Sequence, residues 1–163
     1  MGAKHQNLSH YREETVPSGE TFRIGVIISE WNSVFTEKLY QGCYNILVTH
    51  NVKTENIISI YVPGSYELPQ AAQLLMESQE LDAIICLGCI IKGETNHDHY
   101  ISAAVAHGLM NLSIDYSTPV VFGVLTTDNE QQATDRTGGK YGNKGDEAAI
   151  TALKMAALRA KLI

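Results

Sequence analysis

The sequence predicts a single α/β domain in which a mainly parallel four-stranded sheet is covered by helices on both faces. Segments typical of strands alternate with segments typical of helices, and this order produces a parallel sheet with right-handed crossovers. The strand segments are continuously apolar, as expected where both faces of a sheet are buried. No linker is long enough to separate a second domain, and no internal repeat is present.

Four apolar segments predict the strands, at residues 22–29, 57–62, 83–88 and 120–125. Pro63 and Gly64 end the second strand, because proline lacks the N–H group that a further ladder bond needs. The third segment, residues 83–88, carries no charged or hydroxyl side chain. We therefore expect it to be buried on both faces.

Apolar residues at helical spacing follow each strand. The second helix is expected at residues 68–78, with Pro69 tolerated in its first turn, and an Ala-rich last helix at residues 146–162. The apolar residues that predict the other inner faces are Phe35, Leu39, Cys43, Ile46 and Leu47, then Ile101, Ala104, Val105, Gly108, Leu109 and Leu112, and finally Ala149, Leu153, Ala156 and Ala157.

Composition excludes several classes of protein. With 163 residues, 18% charged and 44% hydrophobic, the chain is typical of a globular domain rather than a disordered one. The net charge of −6 offers no basic surface for nucleic acid. No apolar run approaches the roughly 18 residues that span a membrane.

Residues 1–20 predict a polar N-terminal arm, and residues 21–163 a single domain. The arm lacks the apolar core of a signal peptide, and Gln6 stands where a myristoylation motif has Ser or Thr. Three cysteines, an odd number, do not suggest a disulfide framework. A cytoplasmic protein is therefore expected.

Polar residues follow each predicted strand, in the loops Glu30-Trp31-Asn32, Gly64-Ser65-Tyr66-Glu67, Cys89 to His97 and Thr126-Thr127-Asp128. The carboxyl ends of parallel strands meet at one edge of the sheet, and ligands bind at that edge in open α/β proteins. The sequence therefore predicts a binding site there.

The stretch Lys92-Gly93-Glu94-Thr95-Asn96-His97-Asp98-His99-Tyr100 lies where the third strand ends and a helix begins. The free N–H groups of a helix start favour anions such as phosphate. They also disfavour the imidazolium cation, so a neutral His97 is the candidate for proton transfer. The alternative is a histidine that only caps the helix. His99 and Asp98 either orient His97 or face solvent.

Cys86-Leu87-Gly88-Cys89 has the C-x-x-C spacing of a redox pair. Such pairs begin a helix, whereas Cys86 lies in an apolar strand, so a core position is the favoured interpretation. The spacing of Cys89, His97 and His99 does not match common zinc sites, and no metal is expected.

Residues 136–145 are rich in Gly and Lys and predict a loop. They lack the G-x-x-x-x-G-K-[ST] pattern of a nucleotide-binding loop. Arg136 could still bind a phosphate bidentately, with Lys140 and Lys144 as point charges. An exposed, solvated loop is the alternative.

The order of these motifs resembles the lumazine synthase family. The matching stretches are residues 24–32, Val62-Pro63-Gly64-Ser65-Tyr66-Glu67-Leu68-Pro69, residues 82–100, residues 118–127 and residues 135–145. The resemblance implies a three-layer αβα sandwich with flavodoxin-like strand order. It also implies that residues 11–17 supply an N-terminal strand to a neighbouring subunit.

The activity that this resemblance implies is a condensation without a cofactor. Family members join 5-amino-6-(D-ribitylamino)uracil to 3,4-dihydroxy-2-butanone 4-phosphate, giving 6,7-dimethyl-8-ribityllumazine, phosphate and water, the penultimate step of riboflavin biosynthesis. His97 matches the family's proton-transfer histidine. The family commonly places an acid two residues later, where this chain has His99, so the partner of His97 stays open.

The resemblance also implies which residues bind the substrates. Trp31 would stack on the pyrimidine, and the backbone of Cys89-Ile90-Ile91 would pair with the uracil edge. Ser65-Tyr66-Glu67 would hold the ribityl chain. The remaining implied residues are Glu94, Thr95 and Arg136 for the butanone phosphate, Lys144 beside the uracil, and Phe122 reaching the pyrimidine of a neighbouring subunit.

Family members form pentamers, some of which assemble into icosahedral shells of 60 subunits, and riboflavin synthase is a further partner that the resemblance implies. The short stretch at residues 138–145 favours a shell, while Pro17 in the required edge strand disfavours it. Two other classes remain open: a ligand carrier with the same pocket, and a thiol oxidoreductase using Cys86 and Cys89.

Overall fold

A four-stranded parallel sheet forms the centre of the computed structural model, which describes Asn7 and residues 9–163. Its strands are β1 (Ile24–Ser29), β2 (Ile57–Val62), β3 (Ala83–Ile91) and β4 (Val120–Thr127). Their spatial order is β2-β1-β3-β4, and every pair is parallel. The predicted flavodoxin-like order is therefore confirmed.

Helices cover the two faces of this sheet. The helices are α1 (Ser33–Thr49), α2 (Leu68–Ser78), α3 (His97–Asp115), α4 (Glu130–Thr134) and α5 (Lys144–Leu162). One apolar core lies between the sheet and α1 with α5, and includes Leu39, Leu47 and Leu153. The second core lies between the sheet and α2 with α3, and includes Leu68, Val105 and Leu109. The predicted three-layer sandwich follows from these two cores.

Alternation along β3 explains why it supplies both cores. Ile85, Leu87 and Cys89 pack on the α1 and α5 side, whereas Ile84 and Cys86 pack on the α2 and α3 side. Every residue from position 83 to position 90 is buried. The continuous apolar run therefore marks a strand that is covered on both faces.

Several element ends differ from the predictions. β1 begins at Ile24 rather than at residue 22, and β3 and β4 continue to Ile91 and Thr127. The predicted loop at residues 136–145 contains a small antiparallel hairpin, β5 (Thr137–Gly139) and β6 (Gly142–Asn143), and the start of α5. Positive φ angles at Gly138 and Gly142, 103° and 77°, allow this tight turn.

The third helix differs from its predicted pattern in another way. Only Val105 and Leu109 are fully buried along α3, and Ala104 is exposed. Met110 and Ile114 are also exposed, at 61% and 68%. Although α3 is apolar, it therefore leaves an apolar surface exposed in the single chain.

The first residues of the arm, 1–6 and 8, lie outside the described part of the chain. The remainder makes one 3₁₀ turn at Glu13–Thr15 and packs Val16 into the core. The Tyr11 hydroxyl lies 3.2 Å from His50 Nε2. The strand exchange needs a neighbouring subunit, so it stays a prediction, as does the division into an arm and a domain.

Within residues 9–163, no helix is long and apolar enough to cross a membrane.

Candidate active site

The loops that follow β1 and β2 are joined by backbone hydrogen bonds. The Glu30 N–H donates to the Val62 carbonyl at 2.8 Å, and the Trp31 N–H donates to the Pro63 carbonyl at 3.0 Å. Trp31 thus lies beside the segment that begins at Gly64. Its side chain is 74% exposed, although its ring is the largest apolar group of the loop. An indole held by its backbone and open to solvent is suited to stacking.

Asn32 joins the same loop to β3. Its side-chain Nδ2 donates to the Cys89 carbonyl oxygen at 2.8 Å. Its own backbone is left-handed, with φ 62° and ψ 40°, and its carbonyl accepts from the N–H groups of Phe35 and Thr36 at the start of α1. Asn32 was part of a predicted loop but was not among the predicted site residues.

The end of β3 has a free backbone edge on its β1 side. β1 pairs with β3 only as far as Leu87, whereas β4 pairs with β3 as far as Ile91. The Lys92 N–H donates to the Thr127 carbonyl. The backbone N–H and C=O groups of even-numbered residues in β3 therefore point to β4, and those of odd-numbered residues point to β1. The backbone groups of Cys89 and Ile91 therefore point to the β1 side, where Asn32 already binds the Cys89 carbonyl and the Ile91 groups lie beyond the end of β1.

A 3₁₀ turn at Ser65–Glu67 lies on the α2 and α3 side of this edge. Ser65 is buried against Gly88, where an added Cβ would lie 2.5 Å from the Ser65 hydroxyl oxygen. Tyr66 is 61% exposed and Glu67 is half-buried. The glycine in β3 thus allows a hydroxyl, a phenol and a carboxylate to sit at the carboxyl edge of the sheet.

The start of α3 lies at the same edge. Residues 92–97 are exposed, and His97 is the first residue of the helix. The helix has no side-chain N-cap bond from Asn96, so its first N–H groups remain available to an anion. Glu94 and Thr95 are part of this exposed loop.

Neither proposed partner orients His97 in the described chain, where its imidazole makes no hydrogen bond. The His99 ring instead packs edge-on against Tyr100, with centroids 5.9 Å apart. Asp98 lines a cavity of about 200 Å³ between α3 and the ends of β3 and β4, together with Lys92, Ser102 and Thr127. The Thr127 hydroxyl is buried there without a partner among the described residues.

Arg136 and Lys144 lie side by side at the two ends of the β5–β6 hairpin, with Lys144 as the first residue of α5. The Lys144 N–H donates to the Arg136 carbonyl at 2.9 Å. The Arg136 guanidinium lies 5.0 Å from the Tyr141 ring centroid and donates from Nη1 to the Gln132 carbonyl. Lys144 Nζ lies 2.6 Å from a Glu147 carboxylate oxygen. Arg136 keeps free donors, whereas Lys144 already has an acidic partner.

Phe122 lies away from the other predicted site residues. It is half-buried on the α2 and α3 side of β4, where it pairs with Cys86. Since a strand rises about 3.3 Å per residue, it lies roughly 16 Å before the carboxyl end of β4. The single chain therefore does not bring Phe122 to its own Trp31.

The two cysteines of the C-x-x-C motif occupy opposite faces of β3. Cys86 belongs to the α2 and α3 core and Cys89 to the α1 and α5 core, and both are free. Burial raises the pKa of both thiols, that of Cys89 to about 12. This confirms the core interpretation and leaves the oxidoreductase alternative without a reactive thiol pair. No cluster of three or more possible metal-ligating side chains occurs in residues 9–163.

A cavity larger than the one beside α3 lies at the opposite end of the sheet. It measures about 410 Å³, and its lining includes Arg23, Asp82, Tyr116 and Arg159. Its arginines already bind protein acceptors, since Arg23 donates to Gln79 and Arg159 donates to the Ser117 carbonyl. Size alone therefore does not locate the site, and the exposed aromatic, backbone edge and helix start all lie at the carboxyl edge.

Comparisons with known proteins match most of this chain to a single family. The family model for 6,7-dimethyl-8-ribityllumazine synthase matches residues 21–160. A protein of that name from Parabacteroides distasonis is 50% identical over 155 residues, covering 95% of this chain and 97% of the relative. Relatives with the same name from Porphyromonas gingivalis and Cytophaga hutchinsonii are 48% and 49% identical, covering 97% and 96% of this chain and 98% of each relative.

Proposed function

Since the chain belongs to the 6,7-dimethyl-8-ribityllumazine synthase family, we infer that it is a transferase of riboflavin biosynthesis. It condenses 5-amino-6-(D-ribitylamino)uracil with 3,4-dihydroxy-2-butanone 4-phosphate to 6,7-dimethyl-8-ribityllumazine, phosphate and water. The observation that carries the assignment of the site is the exposed Trp31 beside the free backbone edge of β3. A flat heterocycle with alternating N–H and C=O groups fits between these two features.

We propose that Trp31 stacks on the pyrimidine ring while the backbone of the segment Cys89-Ile90-Ile91 recognises its edge, chiefly through Ile91, because the Ile90 groups point to β4. The pairing of β1 stops at Leu87, which leaves room for a ligand to continue the ladder. Because Asn32 occupies the Cys89 carbonyl, the Ile91 groups are the next ones that face the ligand. Lys144 is assigned a position beside the uracil, which its side chain can reach only after its ion pair with Glu147 breaks.

The ribityl chain is assigned to Ser65, Tyr66 and Glu67. These residues form a turn at the edge of the sheet, and Glu67 supplies a carboxylate for hydroxyl groups. The buried Ser65 fixes this turn against Gly88.

The butanone phosphate is assigned to Glu94, Thr95 and Arg136. The start of α3 offers backbone N–H groups to the phosphate, and the guanidinium adds charge-assisted hydrogen bonds. Both favour phosphate departure, because they stabilise the negative charge that leaves with it.

Chemistry at this site consists of proton transfers between oriented substrates. The substrate amine attacks the ketone, and water leaves as the imine forms. A proton shift then expels phosphate, and ring closure releases a second water. His97 is proposed to move these protons, since its exposed imidazole makes no bond to the described chain. Holding the two substrates together supplies much of the remaining acceleration.

The proposed assembly is a homo-oligomer built from pentamers, with active sites between subunits. Its support is the exposed apolar side of α3 and the distance of Phe122 from its own site. An icosahedral shell of 60 subunits and association with riboflavin synthase are further proposals. A cytoplasmic location is proposed because Cys43, Cys86 and Cys89 are all unpaired.

Lumazine formation by the purified protein tests the proposed function. Absorbance and fluorescence of the product should rise faster with the protein than in a protein-free mixture of the two substrates. Acceleration that saturates with both substrates would support the enzyme. Binding of the ribitylamino substrate with only the spontaneous rate would contradict it and leave a ligand carrier.

Mixed oligomers test the shared site. Phe122→Ala and His97→Ala are each expected to be poorly active alone, because each variant removes one of the two side chains that every shared site needs. When the two variants are unfolded together and reassembled, roughly a quarter of the sites should regain both residues if subunits assort randomly. Recovery of activity after mixing would support a site shared between subunits. No recovery, with mixed oligomers shown by a mass-tagged subunit, would place both residues in one subunit.

A further inference from the structure

The residue that follows the stacking tryptophan has an unusual backbone. Asn32 is left-handed, with φ 62° and ψ 40°. This region disfavours residues other than glycine, and asparagine is among those that tolerate it best. Its side chain is anchored through the hydrogen bond from Nδ2 to the Cys89 carbonyl oxygen, at 2.8 Å. The conformation is therefore held by a side-chain contact with β3, in addition to the bonds that the Asn32 carbonyl accepts from the start of α1.

The hydrogen bond from Asn32 to Cys89 takes the place of a ladder bond that β1 does not make to β3. β1 pairs with β3 only as far as Ile28 opposite Leu87, and Cys89 is the next residue that points to the same side. The Trp31 N–H could have continued this ladder, but it donates to the Pro63 carbonyl. The Asn32 side-chain amide donates instead to the Cys89 carbonyl, which would otherwise lack this bond, at the point where the chain turns away from the sheet.

Two of the hydrogen bonds that hold the loop carrying Trp31 join it to neighbouring strands at Trp31 itself and at the next residue. One is the Trp31 N–H bond to Pro63 at the end of β2, and the other is the Asn32 bond to Cys89 at the end of β3. The second also blocks the Cys89 carbonyl, so that a ligand meets the backbone at Ile91. The Asn32 bond thus acts on the Trp31 ring, which is proposed to stack on the substrate, and on the backbone edge of β3, which is proposed to bind the edge of the pyrimidine.

We propose that Asn32 is a positioning residue, which sets the Trp31 ring relative to the backbone edge of β3 and so determines the affinity for the pyrimidine substrate. The proposal rests on the proposed function for its kinetic consequence only. The butanone phosphate is assigned to other residues, so its binding does not depend on Asn32. The position of Trp31 itself is a property of the free protein.

The kinetic test uses Asn32→Gly and Asn32→Asp. Glycine keeps the left-handed backbone and removes the amide, whereas aspartate keeps the size and replaces the donor by an acceptor. We expect KM for the ribitylaminouracil to rise about 10-fold with glycine, as for one lost hydrogen bond of about 1.4 kcal/mol, and more with aspartate. KM for the butanone phosphate should stay within about twofold.

Asn51→Gly is the matched control. Asn51 is also left-handed, with φ 68°, and lies beyond the other end of α1, where its Nδ2 donates to the Ser18 hydroxyl. This variant loses a side-chain bond of the same kind and should leave both KM values unchanged. Equal rises of both KM values in Asn32→Gly, or unchanged values, would overturn the proposal.

Trp31 fluorescence gives a second readout that needs no catalysis. Trp31 is the sole tryptophan of the chain. Asn32→Gly should lower its fluorescence anisotropy and increase quenching by acrylamide, while Asn51→Gly should change neither. If Asn32→Gly left the fluorescence unchanged, the positioning role would be wrong whatever the activity. If the fluorescence changed and no variant or wild-type protein made lumazine, the proposed function would fail instead.

Discussion

Replacing His97 with alanine is expected to lower kcat for lumazine formation about 100-fold, the lower end of what a proton-transfer group contributes. The lower end applies because the two substrates also react spontaneously once they are held together. Both KM values should change little, since stacking, the backbone edge and the phosphate site remain. Folding should be unaffected, because the exposed imidazole makes no hydrogen bond within the described chain.

His107→Ala provides the comparison on the same helix. His107 is exposed in the middle of α3, away from the helix start. Initial rates at saturating substrates should separate the two variants, and added imidazole should restore part of the activity of His97→Ala only. A His97→Ala enzyme with the wild-type kcat would keep the family assignment and move proton transfer to another group.

The elements that the sequence predicted accurately are those with strong local signals. β2 and α2 have the predicted bounds, because Pro63 and Gly64 end the strand and Pro69 suits the first turn of the helix. The short helix α4 was missed, since five residues are too few for a helical period to show. Its start is marked only by the Asn129 side chain, which accepts from the Gln132 N–H.

The candidate site was predictable to a different degree. Its location followed from the rule that strand ends converge, and the structure places Trp31 beside the Ser65–Glu67 turn by two backbone bonds. The role of Asn32 was not predictable, because it depends on a hydrogen bond to a residue 57 positions away. The surroundings of the His97 side chain were not predictable either. The motif offered Asp98 and His99 as partners, and tertiary packing directs Asp98 to a cavity beside β4.

Substitution of Gly145 by alanine is expected to lower the stability of the fold strongly. Gly145 lies in the first turn of α5, directly against α1. An added Cβ would overlap the Leu39 carbonyl oxygen and lie 2.8 Å from the Leu39 carbonyl carbon. These atoms belong to the backbone of α1 and cannot rotate away. We expect a loss of about 3 kcal/mol in the free energy of unfolding, at the upper end for overpacking.

Helix propensity alone predicts the opposite sign, because alanine is favoured over glycine by about 1 kcal/mol within a helix. Urea unfolding at one fixed protein concentration distinguishes the two effects, with Gly93→Ala as the control, since a Cβ at Gly93 would meet no atom within 4 Å. A Gly145→Ala protein as stable as wild type would show that α1 and α5 can separate without cost. If they separate, the Lys144 backbone and its bond to the Arg136 carbonyl must move too. Any surviving fold should therefore bind the butanone phosphate more weakly, which links this helix contact to the proposed phosphate site.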